Sequence, residues 1–136
     1  MILGIDYGSH RIGVAIADHE TRLARPLEII DARTMDPVAR VAELTDETGA
    51  SLIVVGRPLS LSGGTGPAVE SQSRFVAALR ERVDVDVVEH DERLTTVLAE
   101  QGMRAGGAGR AARREKRDAV AAQMMLQGYL DSERNS

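Results

Sequence analysis

The sequence contains no cysteine, which excludes disulfides and thiolate metal sites and suits a reducing compartment. Aromatic side chains are nearly as scarce, since Tyr7, Phe75 and Tyr129 are the complete set. The core must therefore be aliphatic, and a nucleic-acid reader that stacks bases on an aromatic platform is a poor description of this chain. No apolar run approaches the eighteen or so residues that span a bilayer. Met1 leads into a strand without a basic leader, so no signal peptide is expected and a cytoplasmic protein is. Lysine is almost missing too: sixteen of the seventeen basic residues are arginine. Arginine suits bidentate phosphate contacts, although coding bias produces the same composition. A length of 136 residues predicts one domain with its own core, spanning 1–131, with a frayed tail at 132–136.

The net charge of -4 is unevenly distributed. From Arg104 onward the balance is +3, and the first 103 residues carry -7. A local basic patch can hold a polyanion even on an acidic protein, because the potential decays over about a Debye length.

The first eighteen residues read as two strands joined by a tight turn. Ile2, Leu3 and Ile5 lead to Asp6, while Ile12, Val14 and Ile16 alternate with small residues, the period of two of a strand pair on a core. Gly8 and Gly13 supply permissive backbone. An ionised carboxylate amid such apolar residues requires a cation or hydrogen-bond donors. Asp6 is therefore a candidate for chemistry, with capping of the turn amides as the alternative.

A third strand follows at Leu27–Ile30, completing an antiparallel meander. Asp36 as cap and Pro37 at the first helical position predict a helix that Gly49 ends. Residues 51–56 form a continuous apolar run, the mark of a central strand covered on both faces. Residues 57–67 form a glycine- and serine-rich loop at that strand's carboxyl end, where open α/β sheets bind ligands. It lacks the lysine of a Walker loop. A helix from Pro67 to Arg82 and a fifth strand from Val85 into the acidic cluster His90-Asp91-Glu92 come next. Another helix is expected soon after Leu94, capped by Thr95 or Thr96. Charge then concentrates at Arg104, Arg110, Arg113, Arg114, Lys116 and Arg117, predicting a mobile basic loop that passes into a last helix over about 113–129. At 100° per residue, Ala122, Met125 and Tyr129 fall within about 40° of Asp118, so the helix period puts this acid on the core-facing stripe.

Asp6, one of Asp91 and Glu92, and Asp118 are thus three acids on three elements. In a five-stranded mixed sheet of order 3-2-1-4-5 with helices on both faces, the first, fourth and fifth strands end along one edge. Carboxylates gathered there repel unless divalent cations separate them, and hard oxygen ligands suit Mg²⁺ or Mn²⁺. Two such ions about 3.5 to 4 Å apart define a nuclease geometry.

Gly4-x-Asp6-x-Gly8-x-x-Arg11-Ile12-Gly13-x-Ala15, then Gly56-x-Pro58 and Gly66-Pro67, Asp91-Glu92-Arg93-Leu94-Thr95-Thr96, and Lys116-Arg117-Asp118-x-x-Ala121-Ala122 together resemble the YqgF family, also called RuvX. Its members are similar to RuvC within the ribonuclease H-like superfamily. They are described as Holliday junction resolvases and as nucleases that mature the 5′ end of 16S rRNA. The resemblance runs from Met1 to about Leu130. It implies a ribonuclease H-like fold, magnesium or manganese dependence, and Asp6, Glu92 and Asp118 as metal-binding acids, with Asp91 as an alternate ligand. Many members of the superfamily carry an acid near the end of the fourth strand, where this chain reads Gly56-Arg57-Pro58. Arg11 and the arginines from Arg104 to Arg117 are expected to contact phosphates. A two-fold homodimer would help a resolvase cut symmetrically, yet no stretch is so apolar that it demands a partner.

Two other readings compete. The glycine-flanked Asp hairpin also suits an ATP-binding fold of the actin and sugar-kinase type, but that fold closes two related domains around the nucleotide and this chain has room for one. A nucleic-acid or ribosome-associated binding module that kept the fold without turnover is the non-enzymatic alternative. The presence of all three acids disfavours it.

Overall fold

A computed structural model of the chain describes residues 1–8, 10–57, 67–91 and 110–134. Its elements are β1 (Ile2–Asp6), β2 (Arg11–Ala17), β3 (Ala24–Asp31), α1 (Pro37–Thr48), β4 (Leu52–Arg57), α2 (Pro67–Arg82), β5 (Asp86–Asp91) and α3 (Arg110–Arg134). The strands form one sheet of order β3-β2-β1-β4-β5. β1 runs antiparallel to β2 and parallel to β4, β2 and β3 are antiparallel, and β4 and β5 are parallel.

Strand alternation divides the core in two. Leu3, Ile5, Ile12, Val14, Ile53, Val55 and Val87 meet Val41 and Leu44 of α1 and Phe75, Val76 and Leu79 of α2. On the other face Ile2, Ala15, Ala17 and Val54 meet Ala122, Met125, Leu126 and Leu130 of α3. Both faces are therefore covered, as the apolar run in β4 requires. α1 begins where its signals placed it. The Asp36 carboxylate accepts from the Val38 amide at 3.0 Å, and Gly49 ends the helix in the left-handed region at φ 70°. Arg40 ties α1 to β3 by donating to both Glu28 oxygens, at 2.8 and 2.7 Å.

Two elements differ from the sequence expectation. β3 begins at Ala24, three residues before Leu27, and contains Pro26. An edge strand tolerates proline because the missing N–H faces outward. The β2 pairing steps from Val14↔Glu28 to Ala15↔Pro26, which leaves Leu27 as the extra residue of a bulge. α3 is longer than expected at both ends. Residues 110–112 are helical rather than loop, because alanine and arginine are strong helix formers. Nothing in Ser132-Glu133-Arg134 breaks the far end, so the helix continues through residues expected to fray. No helix among the described residues is long and apolar enough to cross a membrane.

Candidate functional site

The parallel strands β1, β4 and β5 finish along one edge of the sheet, and Asp6 is the last residue of β1. Its partners in register are Gly13 on β2 and Gly56 on β4, and Gly56 in turn pairs with His90 on β5. The terminal cross-strand row therefore reads Gly13, Asp6, Gly56, His90. Counting by two along each strand places this row on the α3 side, with Ile2, Ala15, Ala17, Val54 and Val88. Asp6 thus stands half-buried between two positions without side chains. The Cα atoms of Asp6 and His90 are two strand spacings apart, about 9.5 Å. Only glycine floors the gap between them. His90 packs edge-on against Tyr129 of α3, ring centroids 5.6 Å apart.

Close approach explains two glycines of the opening stretch. A Cβ at Gly8 would run into the backbone oxygen of Arg11, so the turn can fold back on the start of β2 only without one. A Cβ at Gly4 would come within 2.7 Å of the Leu126 Cβ. That glycine lets α3 settle on β1 one alternation behind Asp6.

Arg11 opens β2 on the side of the sheet that carries Gly13 and Ala15, the side of Asp6. It pairs in register with Asp31. The Asp31 carboxyl lies below its ordinary range, first because of the Arg33 side-chain hydrogen bond, then the Arg33 amide, with the charge of Arg11 adding to both.

On the opposite face α2 supports the same edge. The Tyr7 and Ser71 hydroxyls are hydrogen-bonded at 2.5 Å. The Tyr7 ring lies 4.9 Å from that of Phe75. Gln72, only 2 % exposed, donates its side-chain amide to the Gly56 carbonyl at 2.5 Å. Neither bond was expected from the sequence. The available signal was the spacing of Gln72, which puts a polar residue on the stripe of Val76 and Leu79.

Of the expected ligands, Asp6 has a described side chain. Asp91 ends β5 and is in register with Arg57, and Asp118 lies within α3, but their side chains are outside the described residues. So are Glu92 and Arg104 entirely, together with the glycine-rich loop after β4 and the helix expected after Leu94. Arg110, Arg113, Arg114, Lys116 and Arg117 occupy five of the first eight positions of α3. A depression of about 430 Å³ lies at the other end of the parallel strands, lined in part by Thr45, Asp46, Arg82 and Asp84. Its acidic rim and its distance from Asp6 separate it from this site.

A five-stranded 3-2-1-4-5 sheet with a terminal acid on its central strand and a long final helix across that face is a ribonuclease H-like fold. Solved structures share this architecture. RuvC of T. thermophilus bound to a Holliday junction superposes with a TM-score of 0.59 at 16% identity, over 98% of this chain and 94% of that one. The Fowlpox virus resolvase in complex with Holliday junction DNA gives 0.57 at 11%, over 97% of each. At such identities the likeness is one of fold. The chain belongs to the RuvX family, described as Holliday junction resolvase, whose family model matches residues 1–132. A protein of Chloroflexus aggregans named "Putative pre-16S rRNA nuclease" is 46% identical over 98% of this chain and 95% of its own length. One of Geobacillus kaustophilus with the same name is 42% identical over 97% and 98%.

Proposed function

We propose that the chain is a divalent-cation-dependent nuclease that hydrolyses phosphodiester bonds in structured nucleic acid in the cytoplasm, either a four-way DNA junction or the 5′ end of a 16S rRNA precursor. The observation that carries this reading is the row Gly13, Asp6, Gly56. It leaves a carboxylate at the sheet edge flanked by two positions without side chains, where a cation and a phosphate oxygen can approach.

The donor set fits a hard cation. Asp6, Glu92 and Asp118 offer carboxylate oxygens, the ligands Mg²⁺ and Mn²⁺ prefer, and no sulfur. Between the neighbouring acids, the glutamate side chain has the longer reach. Glu92 is therefore the preferred ligand and Asp91 the alternate. Bound there, two ions would supply an activated water and charge neutralisation at the leaving oxygen. The chain's own part is to hold the carboxylates together and to present phosphate to them. Arg11 lies on the Asp6 face, and the basic residues at the start of α3 join a helix end whose dipole already favours anions. These contacts position a backbone and read little sequence.

The test is a side-by-side cleavage assay on a mobile four-way junction and a 16S precursor, with Mg²⁺ and Mn²⁺ in turn, comparing wild type with Asp6→Asn. The expected result is cation-dependent cleavage by wild type, none by the variant, and retained nucleic-acid binding by both. Wild-type cleavage rates in Asp6→Asn would overturn the assignment. Oligomeric state adds a second reading of the substrate, since symmetric junction cutting calls for two copies and trimming of an end needs one.

A further inference from the structure

Two polar contacts reach the Asp6 edge from behind, and both come from one turn of α2. Gln72 is buried on the stripe of Val76 and Leu79, where a polar side chain carries a desolvation cost unless it is hydrogen-bonded. Its amide is matched to the backbone carbonyl of Gly56, the β4 residue in register with Asp6. One position earlier on α2, Ser71 holds the hydroxyl of Tyr7, the residue that follows Asp6. α2 thus grips the ends of two adjacent strands at the row that carries the acid.

Asp6 and Tyr7 are consecutive, and successive side chains of an extended chain project to opposite faces. The pull on Tyr7 toward Ser71 and Phe75 therefore sets the rotation of the β1 end, and with it the direction of the Asp6 carboxylate on the other face. The Gln72 bond fixes the neighbouring strand end against which that direction is measured. We propose that Gln72 and the Tyr7–Ser71 hydroxyl pair are positioning groups for Asp6, holding its carboxylate in the geometry a divalent cation requires. This rests on the reading of Asp6 as a cation ligand.

The experiment uses the full chain as Gln72→Met, Tyr7→Phe, Ser71→Ala and Ser71→Thr, with Asp6→Asn as reference. Mn²⁺ binding is followed by calorimetry in the absence of nucleic acid, and cleavage by kcat and KM on the better substrate, all below the melting temperature of each variant. Gln72→Met and Tyr7→Phe should weaken Mn²⁺ binding and lower kcat by roughly tenfold, the scale expected when the outer support of a metal ligand is removed. KM for nucleic acid should stay within about twofold, and Ser71→Thr, which keeps the hydroxyl, should behave as wild type while Ser71→Ala follows Tyr7→Phe. A lowered melting temperature with unchanged Mn²⁺ affinity and kcat would overturn the proposal and leave these bonds merely structural. If Gln72→Met does not fold, Tyr7→Phe and Ser71→Ala at the half-buried hydroxyl pair decide the matter. Loss of cation binding in Asp6→Asn with wild-type behaviour of the α2 variants would sink the positioning role alone. Full cation binding and cleavage in Asp6→Asn would sink the cation site itself.

Discussion

Leu126 of α3 rests directly on Gly4 of β1, so closely that a Cβ on the glycine would lie 2.7 Å from the Leu126 Cβ. Gly4 is one strand alternation from Asp6, and Leu126 is on the helix that contains Asp118. Gly4→Ala should therefore lift the helix from the sheet. Overpacking of this kind destabilises by about 1–3 kcal/mol. Denaturant melts should show that loss, and cleavage measured where the variant is still folded should fall further than the folded fraction explains. Cleavage proportional to the folded fraction would mean that the helix relaxes without disturbing the site.

The choice between neighbouring acids is open to substitution. Glu92→Gln should reduce cation-dependent cleavage by ~100-fold or more, while Asp91→Asn should fall by no more than ~10-fold, as expected for a ligand and a supporting neighbour. The reverse order would move the ligand to Asp91.

Binding should carry the signature of the basic start of α3. Replacing Arg113, Arg114 and Arg117 by alanine should make the plot of log affinity against log salt shallower, by about 0.9 for each phosphate no longer neutralised on a duplex and about 0.7 on a single strand. Catalysis by bound complex should change little. An unchanged slope would assign these arginines to the solvent.

A fourth expectation concerns pH. The hydrogen bonds from Arg40 hold the Glu28 carboxyl below its ordinary value of 4.5, Arg40's charge adds to this, and partial burial opposes it. A carboxyl lowered on folding stabilises the fold above its unfolded value, and that contribution is lost as pH falls through the folded one. Glu28→Gln should accordingly be less stable than wild type at pH 7, with the gap closing in acid below 4.5. Urea melts across that range check it; a gap independent of pH would trace the loss to packing.

The strands of the opening meander and both helix-start signals of α1 are legible in the sequence because each depends on local chemistry: alternation, a capping Asp, a proline at the first turn and a terminating glycine. Asp6 is legible too, as a carboxylate in an apolar hairpin. The start of β3 is not, because an edge strand with a bulge admits a proline that would argue against any central strand. Residues 110–112 read as a loop only when the charge around them is weighed above helix propensity. Gln72 is hidden for a different reason. Its role depends on a carbonyl sixteen residues away, and nothing local marks a buried glutamine as a strut rather than an exception on an apolar stripe.

The contacts of α3 reach far back along the chain. Gln127 accepts from the Ala24 amide and donates to the Arg22 carbonyl, Gln123 donates to the Ala24 carbonyl, and Arg22, held at φ 55°, donates to the Leu130 carbonyl. These bonds join residues separated by 99 to 108 positions. Synthesis proceeds from the amino terminus, so the sheet face bearing Ile2, Ala15, Ala17 and Val54 stays wet until the final segment emerges. A nascent chain therefore exposes that apolar side from the time β4 is made until α3 docks. The docking event that shields it is the same one that delivers the segment containing Asp118 to the sheet, so the fold closes on this face only when that segment arrives.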